Sequence, residues 1–155
     1  LAKSKPIIRP MTADDLETVV ILEKELFSDP WPMSAFMDDL ASDYSHPFVV
    51  QIDKEIAGYA ILWIGVDEGH LTNIAVAKKY QRKSIAKRLL SYILRFAAES
   101  GLTQMILEVR PSNTPAIFLY ESFGFARLGV RKRYYKNPVE DCLVMKKEIT
   151  GVNLK

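Results

Sequence analysis

Asn73-Ile74-Ala75-Val76-Ala77-Lys78-Lys79-Tyr80-Gln81-Arg82-Lys83-Ser84-Ile85-Ala86 carries the chain from an apolar run, through a turn dense in positive charge, into a helical pattern. Downstream, Ile85, Leu89, Ile93, Phe96 and Ala97 recur at helical spacing and Gly101 supplies a left-handed stop, so a helix is predicted over 84–99. Upstream, 71–76 reads as a strand. Such a junction directs the free amides and partial positive charge of a helix start at whatever lies over the turn. Lys78, Lys79, Arg82, Lys83, Lys87 and Arg88, with no acid among them, reinforce that field. The junction therefore suits a phosphate-bearing ligand. It has neither the Gly-x-x-x-x-Gly-Lys spacing of a nucleotide-triphosphate loop nor a dinucleotide fingerprint.

On its C-terminal side, the apolar run 105–109 reads as a buried strand, and the succession strand, helix, strand favours parallel pairing. Thr114 and Pro115 open another helix with Ala116, Leu119 and Phe123 on one face and Gly124 closing it. Final strands are predicted near 125–134 and 140–148. On the N-terminal side, strands over 48–52, 56–66 and 71–76, with turns at 53–54 and 67–69, form an antiparallel meander. Ile7 and Ile8 begin a short first strand. Thr12 with Asp15 matches a capping box, opening a helix over 13–26 whose inner face carries Leu16, Val19, Val20, Leu22 and Leu26. Pro30 and Pro32 end that pattern, and a short helix restarts at Ser34. The expectation is an α/β fold: one domain over 1–155, with a mixed, mostly antiparallel sheet flanked by helices.

With 48% hydrophobic and 26% charged residues, the 155-residue chain can bury a real core. No apolar run reaches about 18 residues, and 1–10 reads as polar and proline-punctuated, so the expectation is a soluble, cytoplasmic protein without a membrane partner. A lone cysteine, Cys142, excludes an internal disulfide, and two histidines, His46 and His70, form no zinc-site spacing, so no metal is expected. A net charge of +2 does not by itself argue for a nucleic-acid partner. A second basic stretch comprises Arg127, Arg131, Lys132, Arg133 and Lys136. On charge alone, either stretch reads first as a solvated face.

Gln81-Arg82-Lys83-Ser84-Ile85-Ala86 resembles the Gln/Arg-x-x-Gly-x-Gly/Ala pyrophosphate loop of GNAT acetyltransferases, with serine where the pattern has glycine. Leu107-Glu108-Val109-Arg110-Pro111-Ser112-Asn113 is similar to a further family segment, and so is Ala116-Ile117-Phe118-Leu119-Tyr120-Glu121-Ser122-Phe123-Gly124-Phe125. Arg133-Tyr134-Tyr135-Lys136 followed by Glu140-Asp141-Cys142-Leu143-Val144-Met145 completes the likeness. In order and spacing these segments resemble the RimI family of ribosomal-protein alanine acetyltransferases and the related archaeal N-terminal acetyltransferases. The likeness is dense over 71–145 and diffuse before it, where Asp29-Pro30-Trp31 matches best.

The resemblance implies a GNAT fold, acetyl-CoA as cosubstrate in a cleft between splayed strands, and a protein N-terminus as acceptor, such as a ribosomal protein that begins with alanine. It implies that the backbone of Ile74, Ala75 and Val76 holds the pantetheine arm. The pyrophosphate would meet the amides of Arg82, Lys83, Ser84, Ile85, Ala86 and Lys87, and Asn113 would be a further cofactor contact. Glu108 matches the general base and Tyr120 the general acid. The chemistry agrees: an α-amine with a pKa near 8 must lose a proton before its nitrogen attacks, and a departing thiolate needs one. A carboxylate in an otherwise apolar strand is a suitable base, since desolvation raises a carboxylate's pKa.

Each residue also has a plainer reading. Glu108 could be a strand-end carboxylate paired with Arg110 or Arg133, and Tyr120 a helix residue packed on the sheet. Asp29-Pro30-Trp31, Tyr134 and Tyr135 could border the peptide site or serve the core and the strand alternation. For Ser84, the favoured reading is an ordinary helical backbone whose hydroxyl caps the helix or meets a phosphate, the alternative a displaced loop that binds the cofactor poorly. Cys142 is disfavoured as an acyl carrier, because no histidine pairs with it in sequence context. The rival functions are a broader N-terminal acetyltransferase of the archaeal type, a small-amine acetyltransferase, and a basic module that binds RNA or acetyl-CoA without catalysis. That module would have no need of Glu108 and Tyr120.

Overall fold

The capping box at Thr12 forms: Asp15 Oδ2 accepts from the Thr12 amide at 2.8 Å, and Arg9 grips the same carboxylate at 2.8 and 2.9 Å. In this computed structural model, which describes residues 4–149, β1 (Ile7–Pro10) is followed by a 3-10 turn and then α1 (Leu16–Leu26). The remaining elements are α2 (Met33–Ala41), β2 (Ser45–Ile52), β3 (Glu55–Ile64), β4 (Glu68–Val76), α3 (Ile85–Glu99), β5 (Gln104–Val109), α4 (Thr114–Ser122), β6 (Ala126–Lys136) and β7 (Val139–Glu148). One expected turn moves: β3 stops at Ile64 rather than reaching 66, and Glu68 and Gly69 are already strand. The Gly65 amide donates to the Glu68 carbonyl at 2.8 Å, which closes the hairpin over 65–67 with Val66 fully exposed at its tip.

The strands form one seven-stranded sheet in the order β1-β2-β3-β4-β5-β7-β6. All neighbours are antiparallel except β4 and β5, the parallel pair that the strand, helix, strand succession predicted. Helices cover both faces. Met11, Leu16, Val19, Val20 and Phe36 pack with Val49, Tyr59, Ile61 and Ala75 on the α1/α2 side. Leu89, Leu90, Ile93, Ile117 and Tyr120 pack with Phe48, Leu62, Leu71, Met105, Leu107 and Met145 on the α3/α4 side. With apolar layers on both faces, β3 is buried from Ala57 to Leu62. Gly58 is needed there for a local reason: a Cβ would stand 2.6 Å from the Ala75 carbonyl oxygen of β4.

Two irregularities shape the cleft. Ile61 pairs with Asn73 but Leu62 with Leu71, so Thr72 is an extra residue in β4. This bulge turns Leu71 toward the α3/α4 core and Ala75 toward the α1/α2 core. The parallel pairing is also short, running from Glu68 with Gln104 only to Leu71 with Leu107. Beyond it β4 stays with β3 and β5 with β7, so the two halves of the sheet part at residues 72 and 108.

Candidate active site

Leu107 and Val109 point into the α3/α4 core, so strand alternation sends Glu108 to the opposite face, one residue past the last β4–β5 pair. Its surroundings are not the apolar ones expected. Oε1 lies 2.6 Å from His70 Nε2, and Oε2 lies 3.2 Å from an Arg131 guanidinium nitrogen. The Glu108 side chain is 11% exposed, against 33% for His70 and 58% for Arg131. The ion-pair partner is thus Arg131, whereas Arg110 bonds Glu140 at 3.2 Å and lies 4.3 Å from the centroid of the Tyr135 ring. Arg133 is displaced by a bulge in β6. Arg131 opposes Cys142 and Tyr135 opposes Glu140, which leaves three residues against Asp141 alone, with Arg133 at φ 49° and its amide on Asp141 Oδ1. The Tyr134 phenol is held above its usual range by burial first and then by the nearby charge of Glu108. His70 was considered in the sequence only for zinc spacing; its place beside Glu108 follows from the β4–β5 register, which the sequence does not display.

Tyr120 is buried on the other face, its ring edge-on to Phe125 at 5.8 Å, in the cluster that holds Leu107 and Val109. Burial pushes its phenol far above the usual range, so at neutral pH it keeps its proton and can donate it. Glu108 and Tyr120 therefore belong to opposite faces of the sheet.

A cavity of about 420 Å³ runs along the start of α3 and the side of α4, lined by Val76, Arg82, Ser84, Ile85, Ala86 and Lys87 and walled by Phe118 and Leu119. Lys83 is not in its lining; its ammonium lies 5.9 Å from the centroid of the Tyr80 ring. Ile74 and Ala75 stand on β4, where the edge facing β5 has no strand partner, and the Ala75 side chain is committed to the α1/α2 core. Asn113 caps α4, its side-chain oxygen accepting from the Ala116 amide at 3.3 Å.

Ser84 departs from the sequence reading. It occupies the left-handed region (φ 65°, ψ 17°) rather than a helical one, and its hydroxyl makes no capping hydrogen bond. Arg82 is left-handed as well, at φ 62°. Left-handed residues between ordinary ones turn successive amides to one side, forming a concavity suited to an anion. The loop thus keeps the glycine pattern's backbone without its glycine. A larger groove, of about 610 Å³, lies beyond Tyr80. Half of its charged side chains are spent on each other, Arg9 on Asp15 and Lys79 on Glu55, and Glu108 is not in its lining.

The loop between α1 and α2 touches the β6–β7 turn. Asn137, in the β6–β7 turn, donates to Asp29 Oδ1 at 3.0 Å, and the Ser28 hydroxyl donates to the Asn137 carbonyl. The profile of the acetyltransferase (GNAT) family matches residues 16–125. The chain belongs to the GNAT acetyltransferase family. Among GNAT relatives, an N-alpha-acetyltransferase RimI of Mycobacterium tuberculosis is 36% identical over 154 residues, covering 95% of this chain and 96% of the relative. The [ribosomal protein bS18]-alanine N-acetyltransferase of Escherichia coli is 32% identical over 140 residues, covering 89% and 94%. The crystal structure of the ribosomal-protein-S18-alanine N-acetyltransferase from Escherichia coli superposes with a TM-score of 0.88 at 30% identity, over 94% of this chain and 95% of that one. As a GNAT enzyme the chain is an acetyl-CoA-dependent N-acetyltransferase, and the cavity beside α3 fits that cosubstrate: cations and turned amides for phosphates, an apolar wall, and a free strand edge leading to the split. No helix among the described residues is long and apolar enough to cross a membrane.

Proposed function

We propose that this enzyme acetylates the α-amine of a protein N-terminus, with a ribosomal protein beginning with alanine as the leading acceptor, and that it does so in the cytoplasm. The observation that carries this reading is the placement of Glu108. It sits where the sheet splits, on the face away from Tyr120 and beside Tyr134. On this reading the loop 27–32 and the β6–β7 turn, which touch each other, border the entrance for an extended chain end.

In this proposal Arg82, Ser84, Ile85, Ala86 and Lys87 hold the pyrophosphate, with Lys83 and Asn113 at the margin of the cosubstrate. The backbone of Ile74, Ala75 and Val76 aligns the pantetheine arm along the free edge of β4. The bound cosubstrate supplies the acetyl group as a thioester. Glu108 takes a proton from the incoming ammonium and His70 passes it toward solvent, while Arg131 gives up its place at the carboxylate. The freed amine forms the N–C bond, the C–S bond breaks as Tyr120 protonates the sulfur, the nitrogen loses its second proton through Glu108, and Tyr120 regains a proton from solvent. The products are the acetylated amide and the thiol, with one net proton released.

The test is a library of short peptides differing in their first residues, some with internal lysine, incubated alongside polyamines and aminoglycosides. Mass spectrometry that maps acetyl to the α-nitrogen of alanine-starting peptides is the expected result. Acetyl on lysines or polyamines with free N-termini untouched would assign a different acceptor. RNA binding without any acetyl transfer would favour the basic-module reading.

A further inference from the structure

We propose that Glu23 is a positioning residue for the acceptor side of the site, holding the loop 27–32 through the Trp31 amide; this rests on reading that side as the peptide's entrance. Glu23 lies on the inner face of α1, is 2% exposed, and has no Lys or Arg partner among the described residues. Three neutral donors satisfy it instead. Oε2 accepts from the Trp31 amide at 3.0 Å, and Oε1 accepts from the Tyr59 hydroxyl at 2.8 Å and from Asn73 Nδ2 at 3.0 Å.

A carboxylate taken from water without a cation is costly, and an apolar residue of similar size would serve packing as well. What Glu23 does that such a residue cannot is join three separate parts of the chain. Trp31 belongs to the proline-flanked loop between α1 and α2, whose Ser28 and Asp29 meet the β6–β7 turn on the outside. Asn73 is the first residue after the β4 bulge, directly before the strand edge assigned to the cosubstrate. Tyr59 fixes both to β3. Glu23 thereby ties the loop 27–32 to the strand that, on this reading, presents the acetyl group.

The test compares two changes. Glu23→Met with Tyr59→Phe keeps the volume and removes one of the donors that would be stranded, but leaves the Trp31 amide without its acceptor. Its peptide KM is expected to rise about tenfold or more, the scale of one lost hydrogen bond, with acetyl-CoA affinity within about twofold of wild type. Glu23→Gln is the rescue. Tyr59 and Asn73 can each turn round to present an acceptor to the glutamine NH₂, leaving its carbonyl for Trp31, so peptide KM is expected to return to within about threefold. A folded methionine variant with wild-type peptide KM would overturn the proposal. Hydrogen exchange on the wild-type enzyme decides the matter without any variant: the Trp31 amide is expected to be strongly protected, and exchange at the rate of a free loop amide would overturn the proposal equally. Absence of peptide turnover in the wild type would contradict the acceptor assignment instead, and the exchange measurement would still judge Glu23.

Discussion

At φ 65° a serine occupies backbone space that costs an L-residue roughly 1–2 kcal/mol and costs glycine little. Ser84 receives no capping bond in return, so Ser84→Gly is expected to raise stability by about 1 kcal/mol. Because the backbone already has the shape glycine would take, acetyl-CoA affinity should change by less than about tenfold. Chemical denaturation and calorimetry measure the two, and a loss of stability would show that the serine side chain is engaged. Glu108 and Tyr120 were legible as candidates only through the likeness of the segments around them to GNAT enzymes, since an acid in strand 105–109 and a tyrosine in the next helix have plainer readings on their own. Their partners were not. Arg131, rather than Arg110 or Arg133, pairs with Glu108, and Glu23 continues the helical spacing of Leu16, Val19 and Val20 but, as a carboxylate, does not read as part of the inner face.

Among the elements, the helices were read most closely because their signals are local. The Thr12 box, the prolines at 30 and 32 and Gly101 each act within a few residues of themselves, and α1 and α3 begin and end near where those residues place them. The split between β4 and β5 depends on long-range register, so residue patterns do not display it and only the likeness to GNAT enzymes implies a cleft between splayed strands. The capping box allows a test at this scale. Asp15 is held below the usual carboxylate range, by its hydrogen bond to Arg9 first and with further help from Thr12. A lowered folded pKa means that the unfolded chain binds more protons, so this stability is present above the unfolded value of about 3.9 and is lost as pH falls through the folded value. Asp15→Asn should therefore cost about 1–2 kcal/mol at pH 7, and the gap to wild type should close toward pH 2. Urea midpoints at both pH values check this, and a gap that persists in acid would place the effect in shape rather than charge. The basic stretch on β6 fits its first reading in large part, since that edge strand is exposed except at Tyr135. Charge on an open edge discourages pairing with other chains.

Across the whole molecule, four parallel residue pairs join a β1–β4 half to a β5–β7 half, and the chemistry is assigned to the line where they separate. One half contributes His70 and the cosubstrate's strand edge; the other contributes Glu108, with Arg131 and Tyr134 turned toward it from β6. Tyr120, brought by α4 on the far face, completes an arrangement in which a proton leaves on one side of the sheet and another is supplied from the opposite side. That arrangement is the central claim. The most direct measurement is the turnover of an alanine-starting peptide by wild type, Glu108→Gln and Tyr120→Phe at saturating acetyl-CoA, with acetyl-CoA affinity measured in parallel. The account predicts that each substitution lowers kcat by roughly 10²-fold or more while acetyl-CoA affinity stays near wild type. Wild-type turnover in both variants would contradict it and return Glu108 and Tyr120 to purely structural roles.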